Sequence, residues 1–308
     1  MNEYDVVVIG GGASGLSAAL VLARAQRRVA VVDAGEPRNG PAAHMQGFLS
    51  RDGIPPGELL RLGREEVTGY GAEVVAGRVD AVRRAGDVEP RFDVHLIGGT
   101  VLRARRVLVA TGLRDVLPDI PGLRERWGRD LLHCPYCHGY EVRAQPLGVI
   151  GATPEAVLHA HLVRQWSPDV VLFTHTDELT DEQREALVAR AIGVVDGPVA
   201  GLVVEDDHLT GVELADGRVI PRTAVFVRPR MLPDNGVLTD LGCAIKDNGW
   251  VVADPSGRTS VPGVWVAGNV ANPRAQVITA AGEGSAAAIA LNADLVDQDV
   301  AAAVRDFR

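Results

Sequence analysis

The chain has 308 residues, 46% hydrophobic and 23% charged, with a formal net charge of −9. That length suggests two domains, each with enough residues to bury a core, and the composition is ordinary for a globular protein. The acidic balance and the lack of any basic run argue against nucleic acid or an anionic membrane as a partner, and no apolar run is long enough to span a bilayer. The start, Met1-Asn2-Glu3-Tyr4-Asp5, has no basic n-region and no cleavage site, so a cytoplasmic enzyme is expected.

In chain order, Val6-Val7-Val8-Ile9 reads as a buried strand. Gly10-Gly11-Gly12-Ala13-Ser14-Gly15 follows, then an Ala/Leu-rich helix from Leu16 to about Ala25. This is G-x-G-x-x-G between a strand and a helix. Gly10 permits the tight turn, Gly12 lets the backbone approach a pyrophosphate, and Gly15 lets the helix pack on the strand. The next strand, Arg28 to Val32, ends at Asp33, 18 residues beyond Gly15 and placed for a ribose hydroxyl. These features predict a dinucleotide site. Asp33 to Asn39 departs from a plain NAD domain, and the chain is loop-like from there to Arg51. Leu59 to Tyr70 reads as an amphipathic helix. Glu73 to Val79, Phe92 to Leu96 and Arg106 to Ala110 read as strands, the last running into Thr111-Gly112.

Leu117-Pro118-Asp119-Ile120-Pro121-Gly122 is a break and a domain crossing. Beyond it lies His133-Cys134-Pro135-Tyr136-Cys137-His138, which holds two of the chain's three cysteines. In an intracellular chain, C-x-x-C reads first as a cycling dithiol. A helix starting at Pro135 would set Cys134 near its N-terminus, which favours the thiolate. The competing reading is half of a zinc site, but a closed site needs four ligands and Cys243 stands alone in L-G-C-A. Cys243 reads as a small buried residue. His44, His95 and His175 read as surface or loop residues.

A second strand-turn-helix follows: Leu147-Gly148-Val149-Ile150, then Gly151-Ala152-Thr153-Pro154-Glu155-Ala156, then a helix through Trp166. A strand from Asp169 to Phe173 ends near His175, and a helix from Asp181 to about Ala191 leads into short strands. The chain then returns to the first domain through strands at Gly249 to Ala253 and Gly263 to Ala267. Gly268-Asn269 follows, and a helix runs from about Ala275 to Leu295.

Four landmarks in this order, G-G-G-A-S-G, A-T-G, C-x-x-C and V-A-G-N, resemble the low-molecular-weight thioredoxin reductase family along the whole chain. The resemblance implies an α/β fold of two Rossmann-like domains, bound FAD and a homodimer. It implies an FAD domain at 1–116 and 244–308 and a central redox domain at 117–243. It places FAD on Gly10, Gly12, Ala13, Ser14, Gly15, Asp33, Ala34, Arg38, Asn39, Val79, Ala110, Thr111, Gly112, Gly268, Asn269, Gln276 and Val277. The family's Gly-Asp is Gly268-Asn269 here, and Asn269 still offers a hydrogen bond to a ribityl hydroxyl.

Two departures matter. Thr153 replaces the middle glycine of the second turn, and His175-Thr176-Asp177-Glu178 stands where the family carries the arginines that hold a 2′-phosphate. His138 replaces the Asp that follows the second cysteine. C-P-Y-C-H-G-Y-E looks like a branch of the family, the dithiol oxidases of gliotoxin, holomycin and FK228 biosynthesis. That branch uses FAD and dioxygen without NADPH. The expected function is therefore oxidation of a small dithiol, with Cys134 attacked by the substrate, Cys137 passing the electrons to FAD, and dioxygen leaving as hydrogen peroxide. His138 is the expected acid/base because its ordinary pKa of about 6.5 suits proton transfer near neutrality. His133 is either a second acid/base or a structural histidine. The alternative function is a disulfide reductase fed by NADPH or ferredoxin, and a flavin-bound redox sensor is the non-enzyme reading.

Overall fold

The structure is a computed structural model that describes residues 3–85, 91–151 and 153–308; Met1, Asn2 and Ala152 lie outside them. The chain begins with β1 (Glu3–Ile9), α1 (Ala13–Arg24) and β2 (Val29–Asp33). It continues through α2 (Pro56–Gly69), β3 (Glu73–Ala76), β4 (Val79–Arg84), β5 (Phe92–Leu96) and β6 (Val101–Val109). Six of β1's seven residues are buried, the pattern of a parallel strand covered on both faces. The strand expected from Glu73 to Val79 is broken in two at Gly77, whose φ of +153° no longer follows a strand path.

The first sheet runs β3-β2-β1-β6, parallel throughout. Strand β6 then changes partner along its length. Its first half pairs antiparallel with β5, and Val107 to Val109 pair parallel with β17 (Val264–Val266). One long strand thereby carries both the β4-β5 meander and the returning C-terminal segment.

After β7 (Leu113–Val116) come α3 (Leu123–Arg126), β8 (Leu131–Leu132), α4 (Pro135–His138), β9 (Leu147–Ile150), α5 (Pro154–Val163), β10 (Val170–Phe173), α6 (Asp181–Ala189) and β11 (Gly193–Val195). The strands β12 (Val199–Glu205), β13 (His208–Leu214), β14 (Val219–Pro221) and β15 (Ala224–Val227) complete this part. Strands β11-β10-β9-β15-β8 form a second parallel sheet, and β12-β13-β14 form an antiparallel ribbon. Then come β16 (Arg230–Pro233), α7 (Gly236–Asp240), β17, a 3-10 turn at Gly268–Val270 and α8 (Val277–Phe307).

The chain divides into two compact units. One is Met1–Gly40, Pro55–Arg114 and Met231–Arg308; the other is Pro41–Ile54 and Asp115–Arg230. The return to the first unit comes at residue 231, where the sequence suggested 244. Leu238 and Cys243 are buried in the same core as Val7 and Val107, so this stretch packs with the first sheet. Pro41–Ile54, a loop by sequence, groups with the second unit, where Pro41 packs against Gly128. Two further expectations change. Gly249 to Ala253 is no strand but contributes isolated bridges, Ile245 to Val251 and Ala253 to Thr259. Helix α8 runs twelve residues past Leu295, its far half tied down by ion pairs from Arg27 and Arg105 to Asp299.

Candidate active site

In the first unit, the residues expected to hold a dinucleotide gather at the carboxyl ends of parallel strands, where ligands of open α/β sheets bind. The Gly10–Gly15 turn follows β1, Asp33 ends β2, Ala110-Thr111-Gly112 follow β6, and Gly268-Asn269 follow β17. The turn glycines differ in what surrounds them. A Cβ on Gly10 would strike the Ala110 carbonyl, and one on Gly15 would strike the Gly10 carbonyl. A Cβ on Gly12 would meet nothing within 4 Å. Gly12 is also the N-cap of α1 and brings no side-chain cap, so the first-turn N–H groups are left to other acceptors. The Ser14 hydroxyl beside them is buried without a partner among the described residues.

Asp33 accepts from the Gly11 and Gly35 N–H groups and pairs with Arg64 at 2.8 Å. Asn269 donates through Nδ2 to the carbonyls of Asn272 and Ala275. Two carbonyl neighbours fix that atom as nitrogen and turn Oδ1 the other way, 3.4 Å from the Arg38 guanidinium. Glu283 holds this turn by accepting from Gly268 N and Asn272 Nδ2. Thr111 donates to the Asp234 carbonyl. Val79 opens β4 and packs on the core; Ala34 is exposed, and Asn39 is half-buried in the loop after β2. Gln276 is the N-cap of α8, Val277 its first residue, and no side chain caps it.

In the second unit, Cys134 and Cys137 are joined as a disulfide, with Cα atoms 5.2 Å apart. Cys134 is the N-cap of the single-turn α4, Pro135 starts the turn, and the Cys137 and His138 N–H groups both donate to the Cys134 carbonyl. Proline suits that first position because its missing N–H would have had no partner there. Both cysteines and both flanking histidines are half-buried. His133 donates through Nδ1 to the Val227 carbonyl at 3.3 Å, which leaves Nε2 as the acceptor nitrogen of the neutral ring. Burial pushes the pKa of His138 below its ordinary value, partly countered by the Glu141 carboxylate, so His138 is neutral at pH 7 and has one ring nitrogen open to accept a proton.

A histidine that sequence reasoning missed lies behind this pair. His159, on α5, is 4% exposed and packs against His133 at 6.1 Å and edge-on to Phe226 at 5.9 Å. Burial pushes its pKa down to about 3. The nearby His133 and Arg228 add to this, and a hydrogen bond with the His133 backbone opposes it. Its position on the buried face of α5 was the available signal. His175 is a loop residue whose Nδ1 accepts from Val199 N. Cys243 is buried, and burial raises its thiol pKa.

The second glycine turn is built differently from the first. Thr153 is the N-cap of α5, and its Oγ1 accepts from Ala156 N at 3.3 Å, taking one of the N–H groups that a phosphate would use. The Asp177 carboxylate lies 3.9 Å from where a Cβ on Gly151 would sit. Arg164 and Arg190 hold backbone carbonyls.

A glycine turn open to a dinucleotide in one Rossmann-like unit and a C-x-x-C disulfide in the other define a flavin-linked disulfide oxidoreductase. The chain belongs to the pyridine nucleotide-disulphide oxidoreductase family, which it matches over residues 4–284. Across 97% of its length it is 30% identical to thioredoxin reductase sirT of Leptosphaeria maculans, covering 96% of that protein. The crystal structure of HlmI is similar at 65% identity and a TM-score of 0.96, over 98% of this chain and 95% of HlmI. A putative thioredoxin reductase TrxB from Bacillus anthracis gives 36% identity and a TM-score of 0.89, over 96% and 99% of the two chains. The protein thus has a thioredoxin reductase-like fold, and its cofactor is FAD. Among the described residues, no helix is long and apolar enough to cross a membrane.

Proposed function

We propose that this protein closes a disulfide in a small-molecule dithiol, with dioxygen as the final acceptor and hydrogen peroxide as the second product. The contrast between the two glycine turns carries the reading. The first leaves the α1 N–H groups and the space at Gly12 open. The second is capped by Thr153 and flanked by Asp177. A phosphate there would lose hydrogen bonds and face a carboxylate, so pyridine nucleotide is a poor electron source for this chain.

The first unit fits FAD. In this proposal the pyrophosphate lies on Gly12, Ala13 and Ser14, where the buried Ser14 hydroxyl awaits a partner. Asp33 takes the adenine-side ribose, Ala34, Arg38, Asn39 and Val79 line its surroundings, and Asn269 Oδ1 accepts from a ribityl hydroxyl. Ala110, Thr111, Gly112 and Gly268 shape the wall. Gln276 and Val277 open α8, whose uncapped N-terminus favours negative charge on the flavin pyrimidine. FAD, held by these residues, would supply the two-electron redox chemistry that links dithiol oxidation to dioxygen.

The chain's own residues manage sulfur and proton. Neutral His138 takes the proton from one substrate thiol. The thiolate attacks Cys134 Sγ, breaking the Cys134–Cys137 bond and leaving Cys137 as a thiolate. The second substrate thiolate attacks the substrate sulfur of this mixed disulfide and releases Cys134. Two electrons have then passed from the substrate to the cysteine pair. His133, its tautomer set by the Val227 carbonyl, offers Nε2 for the second proton.

We further propose a cytoplasmic homodimer. Ile289, Val296, Val300, Val304 and Phe307 are exposed at helical spacing along α8, a face suited to a second copy. Sedimentation at the mass of a single chain would exclude the dimer. The activity test is turnover of a small dithiol in air without added nucleotide. Peroxide is expected to appear in step with disulfide, and turnover that needs NADPH would reject the oxidase.

A further inference from the structure

The strand ladder that leads to the disulfide stops just short of it. Strands β8 and β15 pair at Leu131–Val225 and Leu132–Phe226, and the register ends there. His133, the next residue, is held by two imidazoles instead. Its own ring donates to the Val227 carbonyl at 3.3 Å. The second is His159, whose ring lies 6.1 Å from that of His133 and edge-on to Phe226, the last residue of β15 to pair with β8. The hydrogen bond between the His159 ring and the His133 backbone favours the protonated ring, so the ring donates and the His133 carbonyl accepts. Nδ1 of His159 has no partner among the described residues, so the donor is Nε2.

An imidazole is a costly filling for this place. His159 is buried, and its Nδ1 lone pair has nothing to accept from. Leucine or methionine would pack beside Phe226 without leaving a polar atom unpaired. What histidine alone brings is the Nε2–H on the His133 carbonyl.

We propose that His159 is a positioning residue: through the His133 carbonyl it holds the peptide that carries Cys134 in place while the Cys134–Cys137 bond is open. The His133 carbonyl and the Cys134 N–H belong to one planar peptide, so a bond to the first fixes the second. With the disulfide closed, the sulfur bridge itself ties Cys134 to α4. Once the bridge opens, Cys134 keeps only its backbone ties, and the one from His159 sits directly before it. Closure is favoured to the extent that the two sulfurs stay near each other. His159 touches no substrate in this scheme and acts through the His133 peptide. Its kinetic consequence rests on the proposed dithiol oxidation; its effect on the cysteine pair does not.

The experiment compares His159→Leu and His159→Met, which remove the donor, with His159→Gln, whose side-chain amide supplies another. The first arm needs no turnover. The holoprotein is equilibrated without air in mixtures of reduced and oxidised dithiothreitol, and the reduced fraction of the Cys134–Cys137 pair is read by alkylation and mass. The closure constant should fall about 3- to 10-fold in His159→Leu and His159→Met, as expected for one hydrogen bond, and His159→Gln should restore it. The second arm is turnover of dithiothreitol in air, in which kcat should fall by the same order while KM stays near wild type. Should the closure constant shift as expected while no dithiol turns over, the oxidase fails and the positioning role stands. Wild-type closure in both donor-free variants overturns the proposal, as does a loss in His159→Gln equal to theirs. Melting temperatures are measured alongside: a closure constant that follows them across the three variants, and not the presence of the donor, would make His159 a core residue only and likewise overturn it.

Discussion

Cys134 and Cys137 are three residues apart, yet they occupy chemically distinct places. Cys134 is the N-cap of α4, ahead of the first-turn N–H groups, whereas Cys137 lies inside the turn with its own N–H bonded to the Cys134 carbonyl. The thiolate is favoured at the first position. Iodoacetamide at pH 7 should therefore label Cys134 in Cys137→Ser several-fold faster than Cys137 in Cys134→Ser, and both variants should lose turnover. Equal rates would remove the inequality. The dithiol was legible because C-x-x-C is local, and so were its flanking histidines. His159 was not, because only the fold brings it against His133. It has a consequence for stability. Its pKa is about 3 in the folded chain and about 6.5 unfolded. The unfolded state thus binds the extra proton first, and the stability contribution is complete above pH 6.5 and declines as pH falls toward 3. One proton is worth about 1.4 kcal/mol per pH unit, so wild type should lose on the order of 2–3 kcal/mol more than His159→Gln between pH 6.5 and 4.5. Urea unfolding at the two pH values measures this, and parallel declines would remove His159 as the source.

At the scale of elements, α1 and α5 begin from the same strand-turn-helix design and end in opposite states. Gly12 leaves the α1 N-terminus bare, whereas Thr153 closes that of α5 with its own hydroxyl. The sequence showed Thr153 in place of the middle glycine of the second turn; the structure adds that it consumes the Ala156 N–H. That second effect depends on where the helix starts, which periodicity alone does not fix. Gly12→Val would fill the open space against the proposed pyrophosphate. It should fold, since no protein atom lies within 4 Å of the new Cβ, yet retain FAD at least about tenfold more weakly, given the loss of charge-assisted hydrogen bonds. Absorbance of the purified variant measures it, and a wild-type flavin content would move the pyrophosphate elsewhere. The tail of α8 was illegible for a different reason. Its far half is held by Arg27 and Arg105, distant in sequence, while its apolar stripe faces outward.

At the scale of the whole molecule, four short motifs in fixed order were enough to reveal two Rossmann-like units, because each marks the end of a parallel strand. The return point was less visible. Residues 231–243 have no motif of their own, and only the burial of Leu238 and Cys243 in the first core assigns them. What divides an oxidase from a reductase is likewise distributed over the chain. In the proposed function it depends on one unit keeping its nucleotide turn open and the other capping it with Thr153. A charge-assisted hydrogen bond to phosphate is worth about 1.5–3 kcal/mol, so loss of the Ala156 N–H that Thr153 occupies is expected to weaken NADPH by on the order of 10–10². Asp177 near the turn adds repulsion to a 2′-phosphate. Anaerobic mixing with micromolar NADPH should therefore leave the flavin absorbance intact, while a small dithiol should bleach it and air should restore it. Rapid bleaching by NADPH, followed by reduction of thioredoxin, would reverse the direction of electron flow and make the protein a reductase.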